Sequence, residues 1–230
     1  MPHSTIHLMR HGEVFNPGGV LYGRLPGYRL SDRGRAMAER VAKHIGENGH
    51  DIRAVVASPL ERAQESAAPT AQAFSVPVLI DEGLIEAGND FEGEALGSNR
   101  LMLASPRFWK RYRNPMRPSW GEPYTEIVDR MCDAIRRSLD LLPDGGEALL
   151  VSHQLPIWVT RLRIEGRHLA HDPRRRECAL ASLTSLEFEG RRLVGLSYAE
   201  PAADLVRGAA DMVPGRSGAH IPGQPPEASA

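Results

Sequence analysis

Ile6-His7-Leu8-Met9-Arg10-His11-Gly12-Glu13 is the stretch on which the reading of this chain turns. The apolar run over residues 5–9 predicts a short buried strand, and it stops abruptly at Arg10-His11-Gly12. A guanidinium and an imidazole suit the end of a buried strand poorly unless a ligand lies beside them. Arg presents a planar fork of donors that matches phosphate. His works near neutral pH as a nucleophile or as an acid–base group. Gly12 allows the backbone to turn.

Downstream, residues 14–24 carry Asn16-Pro17-Gly18-Gly19 and predict a long loop able to wrap a ligand. Asn16 either touches that ligand or simply forms the turn. Ser31 is the expected N-cap of a helix whose apolar face is Met37, Ala38, Val41, Ala42 and Ile45. Residues 54–57 predict a second strand running into Ser58-Pro59-Leu60-Glu61-Arg62-Ala63. There Ser58 suits an N-cap and Pro59 the first helical position. Arg62 then falls in the first helical turn, the positive end of the macrodipole, and a bound anion would relieve that conflict.

Residues 76–80 predict a third strand, which leads to Glu86. Residues 89–123 are irregular, with scattered Pro, Gly and aromatic residues and a basic cluster (Arg107, Lys110, Arg111, Arg113 and Arg117), and predict a lid-like insertion. Ile127, Met131, Ile135, Leu139 and Leu142 return to helical spacing. Residues 148–151 predict a fourth buried strand, ending at Ser152-His153. Two runs around Glu189-Gly190-Arg191 form a hairpin signature. From residue 201 the chain is rich in Ala, Pro and Gly without periodicity, and residues 201–230 are expected to form a flexible tail.

Strand followed by helix, repeated four times, predicts an α/β fold: a mainly parallel sheet with helices on both faces and an antiparallel edge hairpin. Ligands of such sheets bind beyond the carboxyl ends of the strands. Arg10, His11, Arg62, Glu86 and His153 all fall at that edge, delivered by four separate segments. Two guanidiniums and a second histidine can neutralise a phosphoryl group. One histidine can attack phosphorus, and a carboxyl group can protonate the leaving oxygen. This chemistry needs no metal or other cofactor.

The composition fits that picture. The 230 residues are 41% hydrophobic and 25% charged, enough for one substantial core. The net charge of -1, from 28 basic and 29 acidic residues, argues against a field that would attract nucleic acid or a membrane. Cys132 and Cys178 lack metal-site spacing and are expected to be reduced. No apolar run approaches the ~18 residues of a membrane span and no signal peptide is visible, so a cytoplasmic protein is expected. His7 and His11, four apart on a strand, lie too far apart for one ion. His168 and His171 with Arg174-Arg175-Arg176 either grip a polyanion or form a solvated loop.

The combination of Arg10-His11-Gly12-Glu13 after an apolar strand, Asn16, Ser58-Pro59-Leu60-Glu61-Arg62-Ala63, Glu86 with Phe91-Glu92-Gly93, and Val151-Ser152-His153 resembles the histidine phosphatase superfamily, in its phosphoglycerate mutase-like branch. The resemblance covers roughly residues 5–199. It implies a catalytic domain over residues 1–200 and a phosphohistidine on His11. It further implies phosphoryl contacts from Arg10, Arg62 and His153, proton donation by Glu86 and a phosphate hydrogen bond from Asn16. Val14 and Cys178 depart from the pattern, standing where Ser or Thr and Asn are common. The insertion does not resemble that of a glycolytic mutase. The expected activity is therefore a phosphomonoester phosphatase acting on a phosphorylated small molecule, with a homodimer to be allowed for. The alternatives are a phosphomutase using the same site and a non-catalytic phospho-ligand or protein-binding module.

Overall fold

The first strand, β1 (His3–Arg10), lies inside the sheet because both its faces are apolar. The computed structural model describes residues 1–94 and 121–221. Among these, six strands form one sheet: β1, β2 (Ile52–Ala57), β3 (Val78–Ile80), β4 (Gly146–Ser152), β5 (Leu183–Glu189) and β6 (Arg192–Ala199). Their spatial order is β3-β2-β4-β1-β5-β6. The first four run parallel, β5 pairs antiparallel to β1, and the β5–β6 hairpin closes that side. The α/β class and the edge hairpin match the expectation.

Alternation along the strands makes two cores. Ile6 and Leu8 of β1 and Ala148 and Leu150 of β4 pack beneath α3 (Tyr124–Asp140) and α4 (Gln154–Ile164). Met9, Leu149 and Val151 point the other way, toward α1 (Asp32–Glu47) and α2 (Glu61–Ala73). Ser31 caps α1 as expected, accepting from the Gly34 amide. No helix among the described residues is long and apolar enough to cross a membrane.

Three expectations change. Gly12 is required for a close approach rather than for a turn: a Cβ there would lie 2.5 Å from the Gly34 carbonyl oxygen in the first turn of α1. Ser58 does not cap α2, which begins at Glu61 after Leu60 with no side-chain cap. The tail is packed over residues 201–221. Ala202, Val206 and Ala209 are buried in the core shared with α1, around the short helix α5 (Ala203–Val206). Small side chains that show no period along the chain still fill gaps between larger ones. Residues 222–230 of that tail and 95–120 of the expected insertion lie outside the described residues.

His7, on the opposite side of β1 from Ile6 and Leu8, bonds Ser185 through Nδ1 and Glu147 through Nε2, each at 2.8 Å. His50 joins the same Glu147 oxygen at 2.7 Å. His7 is thus engaged near the start of β4 and not with His11.

Candidate active site

The sheet topology brings the two predicted histidines together. β1 and β4 are adjacent and parallel, with Arg10 opposite Ser152, and the His11 amide donates to the Ser152 carbonyl at 3.1 Å. His11 and His153 therefore leave neighbouring strands at the same level, their ring centroids 5.1 Å apart. The backbone around His11 is held tightly. Its carbonyl accepts from the Ala181 amide, and Ala181 has a φ of 56°, a conformation that costs a non-glycine residue about 1 kcal/mol or more.

His11 is buried, and its Nδ1 lies 2.8 Å from the Gly12 carbonyl oxygen. A carbonyl only accepts, so Nδ1 carries the proton and Nε2 keeps a lone pair. Burial first, and then the charges of Arg62 and Arg10, hold the ring well below the ordinary imidazole pKa. His11 is thus a neutral imidazole with a free nucleophilic nitrogen. His153 is equally covered, and the same causes, burial first and then Arg62, keep it neutral. Its Nε2 lies 2.8 Å from Ser58 Oγ, which is the use the fold makes of that serine.

Arg10 donates through Nη1 to the Cys178 carbonyl and through Nη2 to Asp211, both at 2.8 Å. Burial works against its charge, but Asp211 outweighs burial and raises its pKa. Arg62, in the first turn of α2, is almost fully covered. It donates to the Gly23 carbonyl at 2.6 Å and lies over the Tyr22 ring, 4.8 Å from the centroid. No carboxylate pairs with Arg62 among the described residues, and burial lowers its pKa.

Glu86 follows the short 3-10 turn Glu82–Leu84 beyond β3. Its backbone is clamped: Arg24 donates to its carbonyl, and Arg130 of α3 donates to the carbonyls of Gly83 and Ile85, each at 2.7 Å. Glu122 ties both arginines together. The Glu86 carboxyl lies 4.0 Å from His153 Nδ1. Burial raises its pKa, against the pull of the Ala87 amide and of Arg62, Arg10 and Arg176. A carboxyl group pushed that way holds its proton at higher pH.

Arg10, His11 and Glu86 line a cavity of about 250 Å³, with Tyr22, Gln154, Arg176 and Asp211 also in its wall. Arg62 and His153 are covered and stand behind that wall. Three of the predicted groups carry buried donors or acceptors with no partner among the described residues: Arg10 Nε, Arg62 Nε and His153 Nδ1. Such groups each cost about 1–3 kcal/mol. Arg10 Nε and Arg62 Nε are donors of the kind that phosphoryl oxygens accept from.

Asn16 is not brought into this set. Its amide bonds the backbone of Val20 in both directions, at 2.9 and 3.1 Å, and so closes its own loop. Asp211, Gln154 and Tyr22 line the cavity without having been predicted as site residues, and Arg176, expected either to grip a polyanion or to lie in a solvated loop, lines it too. Of the basic run after His171, Arg176 alone turns inward, and Arg174 and Arg175 are exposed. Cys132 and Cys178 are both free, and burial raises the Cys178 thiol to about 11.

Comparison with known proteins agrees with this fold. The family model described as the histidine phosphatase superfamily (branch 1) matches residues 6–200. The uncharacterized protein Rv0525 of Mycobacterium tuberculosis (strain ATCC 25618 / H37Rv) is 51% identical over 204 residues, covering 88% of this chain and all of the relative. The fold resembles that of mycobacterial glucosyl-3-phosphoglycerate phosphatase Rv2419c, with TM-score 0.65 and 22% identity over 86% of this chain and 96% of the other. It also resembles phosphoglycerate mutase from Bacillus anthracis str. Sterne, with TM-score 0.64 and 17% identity over 89% and 96% of the two chains.

Proposed function

Because the chain belongs to the histidine phosphatase superfamily, we propose that it is a metal-independent phosphomonoester phosphatase working through a phosphohistidine on His11. The observation that carries this reading is the state of His11: neutral, with Nδ1 spent on Gly12, and lining a cavity whose wall also holds Arg10 and Glu86.

In the proposed reaction His11 Nε2 attacks phosphorus, and the bond from phosphorus to the ester oxygen breaks. Glu86, whose pKa burial raises, gives its proton to the leaving oxygen. Arg10, Arg62 and His153 take the three phosphoryl oxygens through their unpartnered nitrogens. Water then attacks the phosphohistidine, passing its proton to the Glu86 carboxylate. Phosphate leaves, and His11 and Glu86 return to their starting states. A cytoplasmic location accords with this reading.

The test is phosphate release from a panel of small phosphorylated metabolites, with no bisphosphate activator and with a chelator present. Release supports the proposal. Transfer to a second substrate hydroxyl with little release would identify a mutase. Binding of esters without turnover would identify a non-catalytic phospho-ligand module.

A further inference from the structure

His7, His50 and Glu147 form a cluster that the reaction above leaves unused, and the sheet register assembles it. His7 stands beside Leu149 in the parallel β1–β4 pair, and Glu147 lies two residues before Leu149, on the same face of β4. Ser185 lies opposite His7 in the antiparallel β1–β5 pair. His50 comes from the connection between α1 and β2, where its amide donates to the Ile45 carbonyl at 3.3 Å. The two imidazoles meet edge to face, with centroids 5.0 Å apart. His7 Nε2 at 2.8 Å and His50 Nδ1 at 2.7 Å converge on one atom, Glu147 Oε2. His7 is buried, whereas the side chains of Glu147 and His50 are 22% and 29% exposed, so one side of the cluster meets water.

Each of the three side chains offers one ligand atom, and these atoms lie within 4.8 Å of one another. Four-coordinate zinc, with bonds of about 2.0–2.2 Å, sets its ligand atoms about 3.3–3.5 Å apart. The two nitrogens therefore need to withdraw from the carboxylate oxygen by only about 0.6 Å to admit the ion. Each neutral imidazole would then carry its proton on the other ring nitrogen. For His7 that nitrogen is Nδ1, 2.8 Å from Ser185 Oγ, so an acceptor that orients the metal-bound ring is already in place. The side open to water supplies the fourth ligand. Two imidazole donors suit zinc and disfavour Mg²⁺ and Ca²⁺, which take oxygen.

We infer that His7, His50 and Glu147 bind Zn²⁺ as a structural clip, at a site separate from the candidate active site. His7 precedes Arg10 by three residues, about 10 Å of strand. Glu147 lies 140 positions from His7 and 97 from His50, so the ion would join β1, β4 and the α1–β2 connection. The three ligands meet only in the folded chain, and the free energy of binding is therefore free energy of folding. This site is independent of the phosphatase reading, because no ligand belongs to the proposed reaction.

The test is titration calorimetry and thermal unfolding of the full chain, first stripped with a chelator and dialysed, with Zn²⁺ alone as the probe. One Zn²⁺ per chain is expected to bind at micromolar concentration or below. At a free concentration a hundred times Kd, the melting temperature is expected to rise by about 5–10 °C. Mg²⁺ and Ca²⁺ should leave it unchanged. Glu147→Gln and His50→Ala are each expected to weaken binding about 100-fold or more, and Ser185→Ala, which keeps all three ligands, about tenfold. His50 is partly exposed and outside the sheet, so its variant carries the test if Glu147→Gln does not fold. No saturable binding at micromolar Zn²⁺, an equal shift with Mg²⁺, or binding as tight in His50→Ala as in the wild type would overturn the inference.

Discussion

Asp211 Oδ1 accepts from Arg10 Nη2 at 2.8 Å, and both side chains are buried. The strand that carries the proposed nucleophile is thereby joined to a segment 201 positions away in sequence. Asp211 also accepts from the Val213 amide, and its own amide donates to the His220 carbonyl, so the carboxylate is fixed from both sides. In the proposed reaction Asp211 is a positioning residue: it holds the Arg10 guanidinium and leaves Nε for the phosphoryl group. Asp211→Asn keeps the shape but strands a buried cation, which costs about 3–5 kcal/mol. Thermal unfolding is expected to fall accordingly. At a temperature where both proteins are folded, kcat/KM is expected to drop tenfold or more. A lower melting temperature with unchanged kinetics would reduce Asp211 to a structural anchor.

Ser58 serves His153 rather than helix α2. Ser58→Ala removes the partner of His153 Nε2 in a fully buried place. The expected cost is about 1–3 kcal/mol of stability. It comes with a lower kcat and little change in KM, because the imidazole loses its orientation more than the site loses affinity. Chemical denaturation and steady-state kinetics check both. An unaltered kcat would mean that His153 is oriented without Ser58.

The pH profile follows from two shifts of opposite sign. His11 attacks unprotonated, so activity rises as pH climbs through its pKa, which burial and then Arg62 place below the ordinary imidazole value. Glu86 donates a proton, so activity on esters with poor leaving groups falls as pH climbs through its pKa, which burial places above the ordinary carboxyl value. Glu86→Gln is expected to slow such esters about 10²–10⁴-fold and to erase their alkaline limb. It should slow p-nitrophenyl phosphate far less, since that leaving group needs no proton. Equal slowing of both kinds of ester would assign the acid elsewhere.

Much of this site is legible in the chain because it depends on local signals. β1 and β4 are mostly apolar, and a histidine follows close on the end of each, so their parallel pairing brings His11 and His153 together. Arg62 announced itself by sitting at the wrong end of a helix dipole. Asp211 gave no such signal, since it lies in an Ala- and Gly-rich stretch and its partner is far away in sequence. Of the two readings left open for Asn16, the turn holds, because Asn-Pro-Gly-Gly is turn chemistry and the turn engages the amide. Ser58 obeyed a capping rule on paper, but an imidazole from β4 claims its hydroxyl. Gly34 drew no notice, although a Cβ there would lie 2.0 Å from the Glu13 carbonyl oxygen. Close approaches of this kind appear only once distant segments are assembled.

The most direct measurement is mass spectrometry of the enzyme quenched during turnover of a phosphomonoester. A phosphoryl group on His11, stable to base and lost in acid, is the predicted result, with none formed in His11→Ala. Steady turnover with no phosphoryl group on His11, or with the group on another residue, would contradict the account.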